Sequence, residues 1–192
     1  LCDGIWEKIV NEMLECRSGN THVDELLAAS TMLLCDDERL DWKNSFISCL
    51  IKLLVLRSKH VLELVITGIT RLLAQDESLD THRQLGDLWV VDALHSIATH
   101  CTNMDIHIME PTYAALWLLS LEHSNRVRMA LRGTLPHAAA LLNLDDEVLV
   151  EFSKTNKSIS GAPHRSRLGQ RFLFLKTCCA GILWQLAAEP DI

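Results

Sequence analysis

Apolar residues recur three and four positions apart along most of the chain. An α-helix turns once every 3.6 residues, so this spacing places the apolar side chains on one face of a helix. A clear example runs through Leu50, Leu53, Leu54, Leu56, Val61, Leu62, Leu64 and Val65. The pattern predicts helices over residues 4–15, 22–35, 42–57, 59–74, 80–100, 105–121, 125–132, 134–143 and 168–188. We therefore expect an all-α protein.

Short linkers join nearly all of these predicted helices. Helices connected so briefly must pack on their neighbours in sequence, and an array of such pairs forms a bundle or a solenoid. Period and linker length leave both arrangements open. A chain of 192 residues can bury a sufficient core without metals or disulfides, so we expect a single helical domain over residues 1–192.

One stretch departs from the helical pattern. Residues 153–171 are polar and contain glycine, proline and serine, which predicts a flexible loop inserted between two helices. The insertion is basic, with five formal positive charges and no acidic residue. The stretch is interpreted either as a solvated loop or as a docking or phosphorylation segment, because a phosphorylated serine there would lie near arginines. The residues of that segment are Ser158, Ser160, Arg165, Ser166 and Arg167.

Residues 114–142 resemble the junction of an armadillo repeat. A helix ending in A-A-L-W-L-L-S is followed by Asn-Arg, a short helix, a glycine and a helix entered through Leu-Pro. Gly133 permits a sharp turn between helices, and Pro136 lies in a first turn, where its missing N–H is not needed. Residues 178–192 resemble the end of another third helix. The resemblance implies an armadillo/HEAT-like right-handed helical solenoid.

In that family the third helices line a concave groove that binds an extended peptide or a partner helix. The resemblance places third helices at 90–98, 112–121 and 178–188, and therefore implies a partner-binding face formed by Asp92, Ser96, Leu118 and Gln185. Two tryptophans lie beside these positions. These tryptophans are Trp117 and Trp184. Each is interpreted either as a residue of the core between repeats or as an exposed anchor for a partner.

Charge and cysteine content narrow the function classes. The net charge is −7 and the sequence pI is about 5.7, which argues against nucleic-acid binding, since that requires a basic surface. No apolar run is long enough to span a membrane. Seven cysteines without a C-x-x-C pair are typical of a reduced, cytoplasmic protein, with the nucleus left open. The chain starts without methionine, so we expect a fragment of a longer protein.

Motifs for catalysis or cofactor binding are missing from the sequence. There is no H-E-x-x-H, G-x-S-x-G, P-loop or Rossmann glycine pattern. His95 and His100 are five residues apart, and would point about 140° apart on a helix, which is unsuited to a shared metal. We expect no enzyme activity, no cofactor and no metal. The predicted function is a protein-interaction scaffold; the alternative is an adaptor or regulatory module, such as a substrate-recognition arm of a ubiquitin ligase or an exchange factor for a GTPase or chaperone.

Overall fold

The computed structural model describes the backbone of residues 51, 54, 59–100, 105–145 and 162–189, and the side chains of these residues except 162–167. This part of the chain forms seven α-helices and no strand, which confirms the all-α prediction for it. The helices are α1 Lys59–Gln75, α2 Asp80–Asp87, α3 Val90–His100, α4 Ile106–Leu119, α5 His123–Leu131, α6 Thr134–Leu142 and α7 Ala162–Ala187. The predicted helices at 4–15 and 22–35, and nearly all of 42–57, lie outside the described residues.

Helix α4 lies at the centre of the described fold. Its sequence is apolar on nearly every side, and a helix of that kind is stable only when it is covered all round. It contacts α1, α2, α3 and α7. The side chain of Asp105 caps its first turn by accepting a hydrogen bond from the backbone N–H of His107 at 3.0 Å. This central position makes α4 the surface on which the other helices are arranged.

Helix α7 packs against α4, α5 and α6. Gly181 of α7 lies beside the indole of Trp117 of α4. A Cβ atom at Gly181 would lie 2.3 Å from Nε1 of Trp117, so only glycine leaves room for the ring. Trp117 therefore fills the boundary between α4 and α7, as the core-packing interpretation requires.

Two predicted boundaries are wrong. The helix predicted over 80–100 is two helices, α2 and α3, separated by Leu88 and Trp89; Trp89 has a φ of 67°, in the left-handed region, where an α-helix cannot continue. The loop predicted over 153–171 is helical from Ala162 onwards, and Pro163 lies in the first turn of α7, where its missing N–H costs little.

The helix from Ala162 onwards includes part of the predicted basic insertion at 153–171. Arg165, Ser166 and Arg167 belong to the first two turns of α7, so they are not part of a flexible loop. Ser158 and Ser160 lie outside the described residues, and the docking or phosphorylation role of the segment stays a prediction. The end predicted for this helix, at residue 188, is one residue beyond the observed end at Ala187.

The sharp turn predicted at Gly133 is confirmed. Gly133 precedes α6 and has a φ of 75°, a conformation that side chains with a Cβ rarely adopt. Pro136 is the third residue of α6, within its first turn. On either side of this turn, the short helices α5 and α6 contact each other.

Candidate protein-binding surface

One side of α7 is exposed from Gln170 to Ala187. The exposed positions alternate three and four residues apart, which places them in a single row along the helix. We call this row the α7 seam, and it consists of Gln170, Leu173, Thr177, Ala180, Trp184 and Ala187. It carries no charged residue. Such a row is normally buried against another helix, and in the described residues nothing covers it.

The α7 seam has large apolar side chains at two positions with small ones between them. Trp184 is 76% exposed and Leu173 is 67% exposed. They are separated by about 16 Å along the helix axis, given the rise of about 1.5 Å per residue. Thr177 and Ala180, which have small side chains, lie between them. Phe174 is also exposed and lies beside Leu173. Contiguous exposed apolar side chains of this kind mark interaction sites.

The opposite side of α7 is anchored in the core. Its buried apolar side chains are Phe172, Leu175, Cys178, Cys179, Ile182 and Leu186. Burial raises the pKa of both cysteine thiols to about 12, so they stay protonated and act as small core residues rather than as nucleophiles. The α7 seam is thus displayed by a helix whose other side is fixed.

The charge of α7 is entirely positive. The helix contains Arg165, Arg167, Arg171 and Lys176 and no acidic residue, although the chain as a whole has a net charge of −7. Arg171 forms an ion pair with Glu110 of α4 and also contacts His107. The pair neutralises one of the four charges and ties α7 to α4.

The two tryptophans have different environments. Core packing is the wrong interpretation for Trp184, which is one of the most exposed large apolar side chains among the described residues. Trp117 is half-buried against Gly181. The local sequence around each tryptophan is similar, so the difference depends on which side of the helix meets a neighbour.

The other predicted partner-binding residues are dispersed. Asp92 forms an ion pair with Arg132 and is largely covered, so it is engaged within the chain. Ser96 is exposed on α3, and its hydroxyl lies 3.4 Å from Nδ1 of His100. Leu118 packs partly against the core. Gln185 is half-buried and follows Trp184 directly. Of these four residues, only Gln185 adjoins the α7 seam.

A buried asparagine joins three helices at the junction after α4. The side-chain amide of Asn125 donates hydrogen bonds to the carbonyl oxygens of His82 at 2.8 Å and Leu119 at 3.1 Å. Gly86 of α2 leaves the space for it, since a Cβ atom there would lie 1.7 Å from Oδ1 of Asn125. The bonds link α2, the end of α4 and α5. Sequence reasoning noted the Asn-Arg pair but not this role.

Arg126, the residue after Asn125, holds the C-terminal end of α7 in place. Arg126 donates from Nη1 to the carbonyl oxygens of Ser120 at 3.0 Å and Leu121 at 2.9 Å, and its Nε donates to Glu189. Nδ1 of His123 lies 3.0 Å from Oε2 of Glu189. Hydrogen bonds from His123 and Arg126 lower the pKa of Glu189 and keep it ionised. The end of α7 nearest Trp184 is therefore held to the α4–α5 turn.

A buried histidine lies between two carboxylates at the same junction. His82 is 1% exposed, and its Nδ1 is 3.7 Å from Oδ2 of Asp76. Burial alone would raise the pKa of Asp76, but hydrogen bonds from Ser78 and Thr81 outweigh it and lower the pKa to about 2. Burial lowers the pKa of His82, although Asp76 and Glu122 oppose the shift. His82 is thus a neutral core residue near neutral pH.

The lowered pKa of His82 predicts a loss of stability in mild acid. A histidine whose pKa is lower in the folded state binds fewer protons there, so its contribution is complete above the unfolded value of about 6.5 and is lost as the pH falls below it. We expect the urea concentration at the unfolding midpoint to decrease when the pH is lowered from about 7.5 to about 5.5. The decline should be smaller in His82→Leu, and an identical decline in both proteins would contradict the prediction.

Comparisons with protein-family models, curated proteins and solved structures find no match for this chain. Among the described residues, no group of three or more His, Cys, Asp or Glu side chains is arranged to hold a metal ion. No helix in that part of the chain is long and apolar enough to cross a membrane.

Proposed function

We propose that this chain is a protein-interaction scaffold and that the α7 seam is its binding surface. The observation that supports this most directly is the exposure of Trp184 and Leu173 on one side of a long helix. Covering apolar surface stabilises a complex by roughly 25 cal/mol per Å², and tryptophan is enriched among residues that dominate binding energy. An anchored helix with such a row is suited to binding a partner.

The same proposal includes an armadillo-like arrangement of the helices. Two features support it: α7 contacts both α6 and the earlier long helix α4, and Gly133 makes the sharp turn between α5 and α6. In this arrangement α4 and α7 are successive third helices, and a row on α7 faces a shared groove. The proposed site lies on α7 and differs from the site predicted from the sequence. Of the four residues predicted there, Asp92 and Ser96 lie on α3, Leu118 lies on α4, and only Gln185 lies on α7.

Anchoring is the second argument for a binding role. Two ion pairs tie α7 to the α4–α5 region: Arg171 with Glu110 within the helix, and Glu189, just beyond its last residue, with Arg126. A surface that is ordered before binding loses less conformational entropy when the partner arrives. The exposed apolar row therefore combines contact area with a fixed geometry.

The proposal predicts that Leu173→Ala/Trp184→Ala weakens binding strongly without unfolding the chain. Both side chains are exposed, so the free energy of unfolding should change by about 1 kcal/mol or less. Affinity for the partner should fall at least tenfold, about 1.4 kcal/mol. The partner is the protein that the parent chain captures from cell extract and that the double variant does not, and its affinity is then measured by calorimetry.

Leu131→Ala is the matched control. Leu131 is 82% exposed but lies on α5, outside the α7 seam. Its substitution removes a comparable exposed side chain and should leave the captured partner and its affinity unchanged. If the double variant keeps every partner of the parent chain, or if Leu131→Ala loses the same partner, the α7 seam is not the binding surface.

A further inference from the structure

We infer that the partner bound by the α7 seam is a second copy of this chain, with the two α7 helices packed antiparallel about a twofold axis. This inference rests on the proposed function, because it names the occupant of the same surface. Three observations support it: the symmetric order of residue sizes along the α7 seam, its lack of charge, and the apolar area that two copies would cover.

The central four residues of the α7 seam have the same order of sizes in both directions. Leu173 and Trp184 are equally far from the midpoint, which lies between the small residues Thr177 and Ala180. A twofold axis through this midpoint places each residue opposite the one equally far on the other side. Leu173 of each copy then faces Trp184 of the other, and Thr177 faces Ala180. The α7 seam is thus complementary to itself, as a twofold interface between identical chains requires.

The centre of the α7 seam allows the axes of two helices to come close together. Alternating steps of three and four residues are the pattern with which helices pack along a shared seam. The distance between helix axes depends on the side chains at the contact, and here these are Thr177 and Ala180. Phe174 is exposed beside Leu173 and widens the apolar surface that meets Trp184 of the other copy. Small residues at the centre therefore bring the large ones on both sides into contact.

The charges near the α7 seam favour the antiparallel direction. No residue of the seam itself is charged, so two copies can meet without burying an unpaired charge. Arg171 and Lys176 lie next to seam residues, and both interact within their own chain. A parallel pair would place each of them level with its counterpart. An antiparallel pair separates the two copies of Arg171 by about 22 Å and those of Lys176 by about 8 Å along the axis, given a rise of about 1.5 Å per residue.

The area covered by a symmetric pair reaches the lower limit for a specific dimer. Trp184, Leu173 and Phe174 are 76%, 67% and 43% exposed, which amounts to roughly 400 Å² per copy for large side chains of about 200–250 Å² each. Both copies contribute, so these residues together supply about 800 Å². The four remaining seam residues of each copy raise the total to about 1,000 Å², near the minimum for a specific interface. We therefore expect a weak, reversible dimer.

The first experiment is sedimentation equilibrium of the full chain over protein concentrations from about 1 to about 200 µM. A reducing agent is present, because the chain contains seven cysteines. We expect the average mass to rise with concentration from the 21.6 kDa of one chain towards twice that value. A mass that stays at one chain over the whole range would overturn the inference.

Substitutions on the α7 seam test the contact itself. Trp184→Ala should weaken self-association at least tenfold, because it removes the largest apolar side chain from both halves of the interface. Ala180→Leu should also weaken it at least tenfold, since a larger side chain at the centre separates the helix axes. Non-specific association would instead increase in Ala180→Leu, which adds exposed apolar surface. Leu131→Ala, outside the α7 seam, should dimerise as the parent chain does.

Two charge variants test the antiparallel direction. Leu173→Glu and Trp184→Lys should each remain monomeric alone, because the introduced charge faces an apolar residue in both halves of the interface. An equimolar mixture should dimerise, since the antiparallel pair places the new glutamate opposite the new lysine and keeps one contact between Leu173 and Trp184. A parallel pair would leave each new charge opposite an apolar residue. Both substituted positions are exposed, so circular dichroism and the melting temperature should match the parent chain.

The remaining outcomes separate this inference from the proposed function. A monomeric chain that captures another protein through Trp184 would overturn the inference and leave the proposed function standing. A monomeric chain that binds phosphatidylserine vesicles through Trp184 would overturn both and identify a membrane as the occupant. A dimer that Trp184→Ala does not weaken, or charge variants that mixing does not restore, would contradict the antiparallel contact. Loss of self-association with unchanged capture of other proteins would confirm the inference and show that those proteins bind elsewhere.

Discussion

A Gly86→Ala variant is expected to lose about 3 kcal/mol of stability. Helix propensity alone favours alanine over glycine by about 1 kcal/mol. That gain is outweighed because the new Cβ atom would lie 1.7 Å from Oδ1 and 2.8 Å from Cγ of Asn125. Overpacking a core costs about 1–3 kcal/mol. Displacing the amide also breaks its bonds to His82 and Leu119, at about 1 kcal/mol each. Urea unfolding followed by circular dichroism measures the loss.

Gly169→Ala provides the matched control for that experiment. Gly169 lies within α7, and nothing is within 4 Å of a Cβ atom built there. The same substitution should therefore stabilise the chain by up to about 1 kcal/mol. A double-mutant cycle with Asn125→Ala tests the cause, because the cost of Gly86→Ala should largely vanish once the amide is gone. Equal effects of the two glycine substitutions would contradict the proposed collision.

Gly181→Ala is expected to destabilise the chain by about 2–3 kcal/mol. A Cβ atom there would lie 2.3 Å from Nε1, 2.6 Å from Cε2 and 2.7 Å from Cδ1 of Trp117. These three atoms belong to one rigid ring, so the indole cannot yield by a small bond rotation. Either Trp117 leaves its position or α7 moves away from α4. The expected cost is that of overpacking a core, and thermal unfolding reports it.

A smaller residue at position 117 should relieve this collision. In the background of Trp117→Leu, the added cost of Gly181→Ala should fall below about 1 kcal/mol, since residues in contact are not additive. Gly169→Ala again serves as the control within the same helix. An additive pair would mean that the loss in Gly181→Ala does not arise from Trp117.

These two glycines connect the stability of the fold with its candidate binding surface. Gly181 sets how closely α7 approaches α4, and Gly86 allows Asn125 to join α2 to the α4–α5 turn. Arg126 of that turn in turn holds Glu189 at the end of α7. The geometry of the α7 seam thus depends on contacts made on the opposite side of the helix and at its C-terminal end.

The sequence alone determined those features that depend on local physical chemistry. Helical period predicted the all-α class and placed α1, α4 and α6 within two residues of their observed limits of Lys59–Gln75, Ile106–Leu119 and Thr134–Leu142. The turn at Gly133 was predictable because a left-handed φ is accessible to glycine at little cost. Apolar spacing and backbone preference are properties of a short segment, so they can be read without knowing what packs against it.

Only the tertiary structure decided which of these segments meet and which surfaces stay exposed. Trp89 takes a left-handed φ that its side chain disfavours, and its sequence gives no signal for the break between α2 and α3. Trp117 is half-buried because Gly181 lies against its indole, whereas Trp184 is exposed because no described residue covers it. Burial is a relation between distant parts of the chain, and a local pattern identifies an apolar face without identifying its neighbour.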